Sequence, residues 1–149
     1  MRKTLILKTL GLLLACAPIA AFAQSTPVGT WTTIDDHTHK PKSNVEIYTT
    51  TNGTLAAKVV QVLQSDEGPH PMCNACSGER KGKPVEGMVI MWGVHKDGNS
   101  WGDGRILDPH NGKIYSVKLT PSADGSRMEV RGYLGFSLLG RSQTWYRKH

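Results

Sequence analysis

Residues 111–120 read NGKIYSVKLT, and the reading of this stretch decides the fold. Asn-Gly supplies the positive φ that a tight hairpin turn requires. Behind the turn, Tyr115, Val117 and Leu119 alternate with Ser116 and Lys118, which is the period of a strand buried on one face. The pattern repeats outward in both directions. Asn52-Gly53, Asp97-Gly98, Asp103-Gly104 and Asp124-Gly125 punctuate runs rich in valine, isoleucine, threonine and aromatics. These runs predict strands at Thr30–Ile34, Asn44–Thr50, Leu55–Leu63, Val85–Val94, Trp101–Leu107, Lys113–Thr120, Arg127–Phe136 and Arg141–Arg147. In the second of them Val45 and Ile47 oppose Asn44 and Glu46. Leu55–Leu63 comes nearest to a helical stripe, but its three valines and the preceding Asn-Gly favour a strand.

An all-β antiparallel meander follows. Gly87, Gly93, Gly132 and Gly135 fall inside the predicted strands, where glycine is costly unless the strand bends or meets another backbone closely. Bent strands in this number favour a closed β-barrel of about eight to ten strands, because closure removes exposed edges. An immunoglobulin-like sandwich is the alternative. Two cysteines only three positions apart cannot tie two sheets together, which weighs against it.

Residues 1–23, MRKTLILKTLGLLLACAPIAAFA, have a basic start, an apolar core too short to span a bilayer and an Ala21-Phe22-Ala23 cleavage site. This is a secretory signal peptide, cleaved before Gln24, and a periplasmic or secreted protein is expected. The alternative is an outer-membrane lipoprotein acylated at Cys16, within Leu13-Leu14-Ala15-Cys16; the apolar run continuing past Cys16 argues against it. Subtracting the 23 leader residues from 149 leaves 126, residues 24–149, which is one domain. The leader holds Arg2, Lys3 and Lys8 and no acidic residue, so the net charge falls from +6 to +3 on cleavage. A pI near 9.4 therefore overstates how basic the working chain is. Arg80-Lys81-Gly82-Lys83 reads as a solvated loop, and no nucleic-acid partner is expected. No later apolar stretch has spanning length, so no transmembrane segment is expected.

Loss of the leader leaves Cys73 and Cys76, within PHPMCNACSGERK at 69–81. In an oxidising compartment they are expected to form a disulfide that shapes the long irregular stretch between Leu63 and Val85. A redox centre of thioredoxin type would need a helix after the motif, and Gly78, Gly82 and Pro84 stand there instead. A metal site on Cys73, Cys76 and His70 is the other alternative, short of one ligand unless His37 or His39 folds across. No cofactor is expected. Catalytic signals are thin. Gly135-Phe136-Ser137-Leu138-Leu139-Gly140 lacks the second glycine of a nucleophile elbow, and Asp35-Asp36 suits a turn better than acid–base chemistry. A non-enzymatic role is expected.

Gly29-Thr30-Trp31 near the start and GRSQTWYR at 140–147 bracket the mature chain. First and last strands of an up-and-down barrel pair, so Trp31 and a late arginine, assigned to Arg141, are expected to stack and close one mouth. A G-x-W start with a late arginine resembles the lipocalin signature. The longer blocks GTWTTIDDHTHKPKSNVEIY, CNACSGERKGKPVEGMVIMWG, WGDGRILDPHNGKIYSVKL and RGYLGFSLLGRSQTWYR resemble the bacterial exported family called domain of unknown function 2147, from about Gly29 to Arg147. The resemblance implies a lipocalin-like β-barrel in the bacterial envelope and brings no settled activity. His39 departs from the glycine expected in that turn.

A barrel of this size either holds one small ligand or is filled by side chains. Ligand-binding candidates are Trp92, Trp101, Tyr115, Arg131 and Tyr133, with a small, partly apolar molecule or lipid as the expected partner. Arg131 and Tyr133 share a parity opposite to Met128, Val130, Leu134 and Phe136. If the apolar set packs inward, that pair faces outward or towards an envelope protein partner.

Overall fold

The computed structural model describes residues 25–136 and 139–149. The predicted signal peptide and the lipidation alternative at Cys16 lie outside the described residues. Eight strands follow in order: β1 Gly29–Ile34, β2 Pro41–Thr49, β3 Leu55–Val62, β4 Val89–Asp97, β5 Ser100–Asp108, β6 Lys113–Pro121, β7 Arg127–Tyr133 and β8 Gly140–Arg147. Each pairs antiparallel with the next, and β8 returns to β1 to close the barrel. A single 3-10 turn, Gly78–Arg80, is the one helical element among the described residues.

Four boundaries differ from the sequence expectation by three residues or more: β2 begins at Pro41 rather than Asn44, β4 ends at Asp97 rather than Val94, and the start of β4 and the end of β7 also move. Strand β4 begins at Val89 rather than Val85, because Val85 donates its N–H to Pro71 in the long loop and Gly87 turns the chain at φ +87°. Strand β7 ends at Tyr133. Gly135 adopts φ +67°, so Leu134 and Phe136 leave the inward row of Met128 and Val130 and become solvent-exposed.

The interior is solid. Trp31, Val45, Ile47, Ala57, Met91, Val94, Val117, Leu119 and Met128 are shielded from solvent almost completely. Such side chains contribute about 1.5–3 kcal/mol each on burial and leave the lower barrel no room for a guest.

One end of the barrel is closed by Trp31. Its Nε1 donates to the Pro27 carbonyl at 2.7 Å, and the Arg147 guanidinium stacks 4.2 Å from the ring centroid. Arg147 also donates to the carbonyls of Gly125 (2.7 Å), Val28 (3.0 Å) and Thr26 (2.6 Å). The closing arginine is thus Arg147 and not Arg141. Antiparallel pairing sets Trp31 opposite Arg147, whereas Arg141, six residues earlier on β8, sits about 20 Å along the strand at the other end. The glycine of Gly29-Thr30-Trp31 has a cause here too. It holds φ +133°, and a Cβ there would lie 2.6 Å from Nη1 of Arg147.

Candidate functional site: the looped mouth

The end opposite Trp31 is bordered by residues 35–40, 63–88 and 109–112 and by the described residues of the β7–β8 connection, 134–136 and 139. On β8, Arg141, Gln143 and Trp145 share the inward parity, paired with Gly132, Val130 and Met128. Trp145 is buried in the core and Arg141 emerges at the mouth. Asp36 reaches the same place from just beyond β1: its Oδ2 accepts from Gln143 Nε2 at 2.9 Å and lies 3.1 Å from Nη1 of Arg141. Gln143 Oε1 in turn accepts from Trp145 Nε1 at 3.3 Å. A polar chain therefore runs from the top of the core to solvent.

Its position follows from an incomplete seam. Strands β1 and β8 pair only through Trp31 with Arg147 and Thr32 with Tyr146. Above those pairs, the contacts of Asp36 with Gln143 and Arg141 bridge the strands through side chains. Across the mouth, Tyr115 pairs with Ile106, and the face of Gly132 lies against the Tyr115 ring. The Tyr115 hydroxyl meets Asn111 Nδ2 at 3.2 Å.

Asp35 and Asp36 take separate roles. Asp35 accepts the N–H groups of Thr38 and His37 and pairs with Lys42 at 3.4 Å. The Thr38 N–H first, then the other donors and Lys42, hold its carboxyl far below the ordinary carboxylate range. That turn places His39 at φ +56°, in the left-handed region where the family resemblance led us to expect glycine.

Of the five ligand-binding candidates, only Tyr115 faces the mouth from inside the barrel; Tyr133 stands at the same end on the outer face. Trp101 pairs with Leu119 nearer the closed end and lies 5.7 Å from Lys96 Nζ. Trp92 faces outward, with Arg80 stacked 4.5 Å from its centroid. Arg131 and Tyr133 face outward beside Lys118 and Ser116. Tyr115 lies in an inward row with Ile106 whereas Trp92, Arg131 and Tyr133 lie in outward rows, so the five do not come together in one place. Asp36 carried only a turn assignment in the sequence and Gln143 none, although the shared parity of Gln143 with Trp145 is visible in QTW.

Cys73 and Cys76 form a disulfide. Both are buried, and Sγ of Cys73 lies 3.3 Å from the Pro109 carbonyl oxygen. Bonded sulfurs present no thiolate to a metal, which removes the Cys73, Cys76 and His70 alternative while the pair is oxidised. The loop packs on the outer wall of β4 and β5, where Leu107 is buried and Arg80 covers Trp92, and so stands beside the mouth. Its fit against the 109–112 turn is tight enough that a Cβ on Gly112 would collide with the Ala75 carbonyl. Two open grooves, of about 490 and 640 Å³, run along the outside of β3 near Val60 and Glu86. Both lie on the outer wall, the second partly under the 63–88 connection at His70, Met72 and Pro84, and neither is lined by Asp36, Arg141, Gln143 or Tyr115.

Known proteins resemble this chain in two respects. A family model described as "Uncharacterized protein conserved in bacteria" (domain of unknown function 2147) matches residues 29–147. Among solved structures, protein HP1028 from the human pathogen Helicobacter pylori, described as belonging to the lipocalin family, has a TM-score of 0.70 at 20% identity, with 82% of each chain covered. At that identity the likeness is one of fold, an eight-stranded lipocalin-like barrel. No curated protein matches the chain. The match over residues 29–147 spans almost all of the predicted mature chain, and the chain belongs to the domain of unknown function 2147 family.

Proposed function

We propose that the protein is an exported, non-catalytic binding protein of the bacterial envelope, holding a small, partly apolar molecule at the looped mouth of its barrel. The observation that carries this reading is the chemistry of the inward row on β8. The inward side chains lower in the barrel are packed and apolar apart from Thr33, which is hydrogen-bonded to Ser43, whereas Gln143 and Arg141 open a polar chain towards solvent with Asp36. Small-molecule sites are concave, largely apolar and oriented by a few convergent polar groups. Here Tyr115 and Ile106 supply the apolar rim, and Arg141, Gln143 and Asp36 the orienting set. The lipocalin-like fold of HP1028 is consistent with such a role. The guest sits at the mouth, because the interior below is filled.

Export rests on the leader together with a disulfide, which persists in oxidising compartments. The non-catalytic part of the reading is supported by the carboxylates of Asp35 and Asp124, which are engaged in turn hydrogen bonds. A second reading, an envelope scaffold that binds no small molecule, draws on the solid interior.

Native mass spectrometry of protein purified from an envelope extract tests both. The expected spectrum has a chain starting at Gln24 and a small-molecule adduct that is lost in Arg141→Ala/Gln143→Ala. A bare mass for the wild-type protein after extraction under gentle conditions would overturn ligand binding and favour the scaffold. A lipid-modified start at Cys16 would overturn the cleavage site.

A further inference from the structure

We propose that the looped mouth takes an amphipathic carboxylate, whose anionic head displaces the Asp36 side chain from Arg141 and Gln143 while its chain lies against Tyr115 and Ile106. This rests on the mouth being a small-molecule site, and the hydrogen-bond polarity of β8 sets which head group it takes. An indole N–H donates and cannot accept, so Trp145 Nε1 takes the oxygen of the Gln143 amide, at 3.3 Å. The amide is thereby turned with its NH2 group towards the mouth. Arg141, the next inward residue of β8, likewise carries donors only and a permanent charge.

Both donor groups converge on one oxygen. Gln143 Nε2 donates to Asp36 Oδ2 at 2.9 Å, and Nη1 of Arg141 lies 3.1 Å from the same atom. The strand thus holds a subsite shaped to a carboxylate oxygen, and the chain fills it with its own. Asp36 is nevertheless dispensable to its surroundings. It belongs to the 35–40 turn, which is fastened through Asp35: that residue accepts from His37 and Thr38, donates its N–H to the Lys40 carbonyl and pairs with Lys42. The Arg141 side chain is 63% exposed and that of Asp36 33%, so their ion pair is weakly stabilising and a second carboxylate can replace it. A cationic head would be repelled by Arg141, and a neutral head lacks the charge to compete with Asp36.

The apolar part of the guest has its place beside these donors. Arg141 pairs with Gly132 on β7. A Cβ on Gly132 would lie 3.6 Å from Tyr115 Cβ and 4.0 Å from Ile106 Cγ2. The half-buried Tyr115 and Ile106 therefore flank a strand position without a side chain, next to the guanidinium.

Isothermal titration calorimetry with decanoate, decanol and decyltrimethylammonium, each below its micellar concentration, tests the head group at constant chain length. Decanoate is expected to bind about tenfold or more tighter than either of the others. Arg141→Gln should remove that preference. Asp36→Ala, which takes away the internal competitor, should tighten decanoate binding about two- to fivefold. An unchanged melting temperature checks that the barrel is intact in both variants. Decanol or the ammonium binding as tightly as decanoate, a decanoate preference that survives Arg141→Gln, or Asp36→Ala leaving decanoate binding unchanged or weaker would each overturn the proposal. So would no binding of any of the three; a native-mass adduct still lost in Arg141→Ala/Gln143→Ala would then show that the mouth binds a guest of another class, whereas a bare mass would remove the mouth site as well.

Discussion

Arg147 is the residue on which closure depends most. Its guanidinium stacks on Trp31 and donates to three carbonyls at the closed end. Arg147→Ala is expected to cost about 2–4 kcal/mol, read as a lower denaturant midpoint. Arg147→Lys should recover less than half of that, because an ammonium lacks the planar fork that reaches several carbonyls at once. In the β6–β7 turn, whose Gly125 carbonyl Arg147 caps, Asp124 accepts from the Ser122 hydroxyl and from the N–H and hydroxyl of Ser126, chiefly the first, and its pKa falls from 3.8 to about 2. A folded-state pKa below the unfolded value stabilises above the unfolded value and is lost as pH falls through the folded one. The melting temperature should therefore drop between about pH 4 and pH 2, and less steeply in Asp124→Asn. An identical slope in the variant would assign the acid sensitivity elsewhere. Trp31 was legible as a closing residue from Gly29-Thr30-Trp31. The choice of Arg141 as its partner failed because it ignored strand direction; antiparallel pairing alone selects an arginine at the end of the last strand.

Among the elements, the long connection 63–88 is the one held by covalent chemistry. Cys73 and Cys76 close a small ring, which constrains the unfolded chain little. Their structural effect is local: the Cys73 N–H donates to Lys83, the Gly82 N–H to Cys73, and Met72 bridges to Pro84. Reduction is expected to raise hydrogen exchange in residues 71–85 and in the adjoining 109–112 turn, with the strands protected as before. Loss of protection throughout the barrel would show that the clip supports the whole fold. The disulfide was readable from PHPMCNACSGERK. What the loop packs against was not, since Trp92 and Leu107 become its neighbours only when β4 and β5 are paired. Strand β7 carries the opposite lesson. Its alternation continues through Leu134 and Phe136, but Gly135 at φ +67° ends the strand first, and two residues that share the parity of Met128 and Val130 emerge on the surface.

For the whole molecule, the solid interior sets both stability and the place left for function. Leu119→Ala removes a side chain with no exposed surface from the centre of β6 and should destabilise by about 2–5 kcal/mol in chemical denaturation. A much smaller loss would mean that the interior can collapse around the gap, and hence is less tightly packed than its burial indicates. Local chemistry in the sequence determined a great deal: the turn dipeptides and period-two runs dictate eight antiparallel strands, because Asn-Gly and Asp-Gly geometry and one-sided burial act within ten residues or fewer. Tertiary structure alone decided which side chains converge. Asp36 meets Gln143 across 107 positions of chain, and Arg147 reaches Thr26 across 121. Such contacts depend on closure of β8 onto β1, where register and strand direction decide which residues face each other, and no local pattern encodes them.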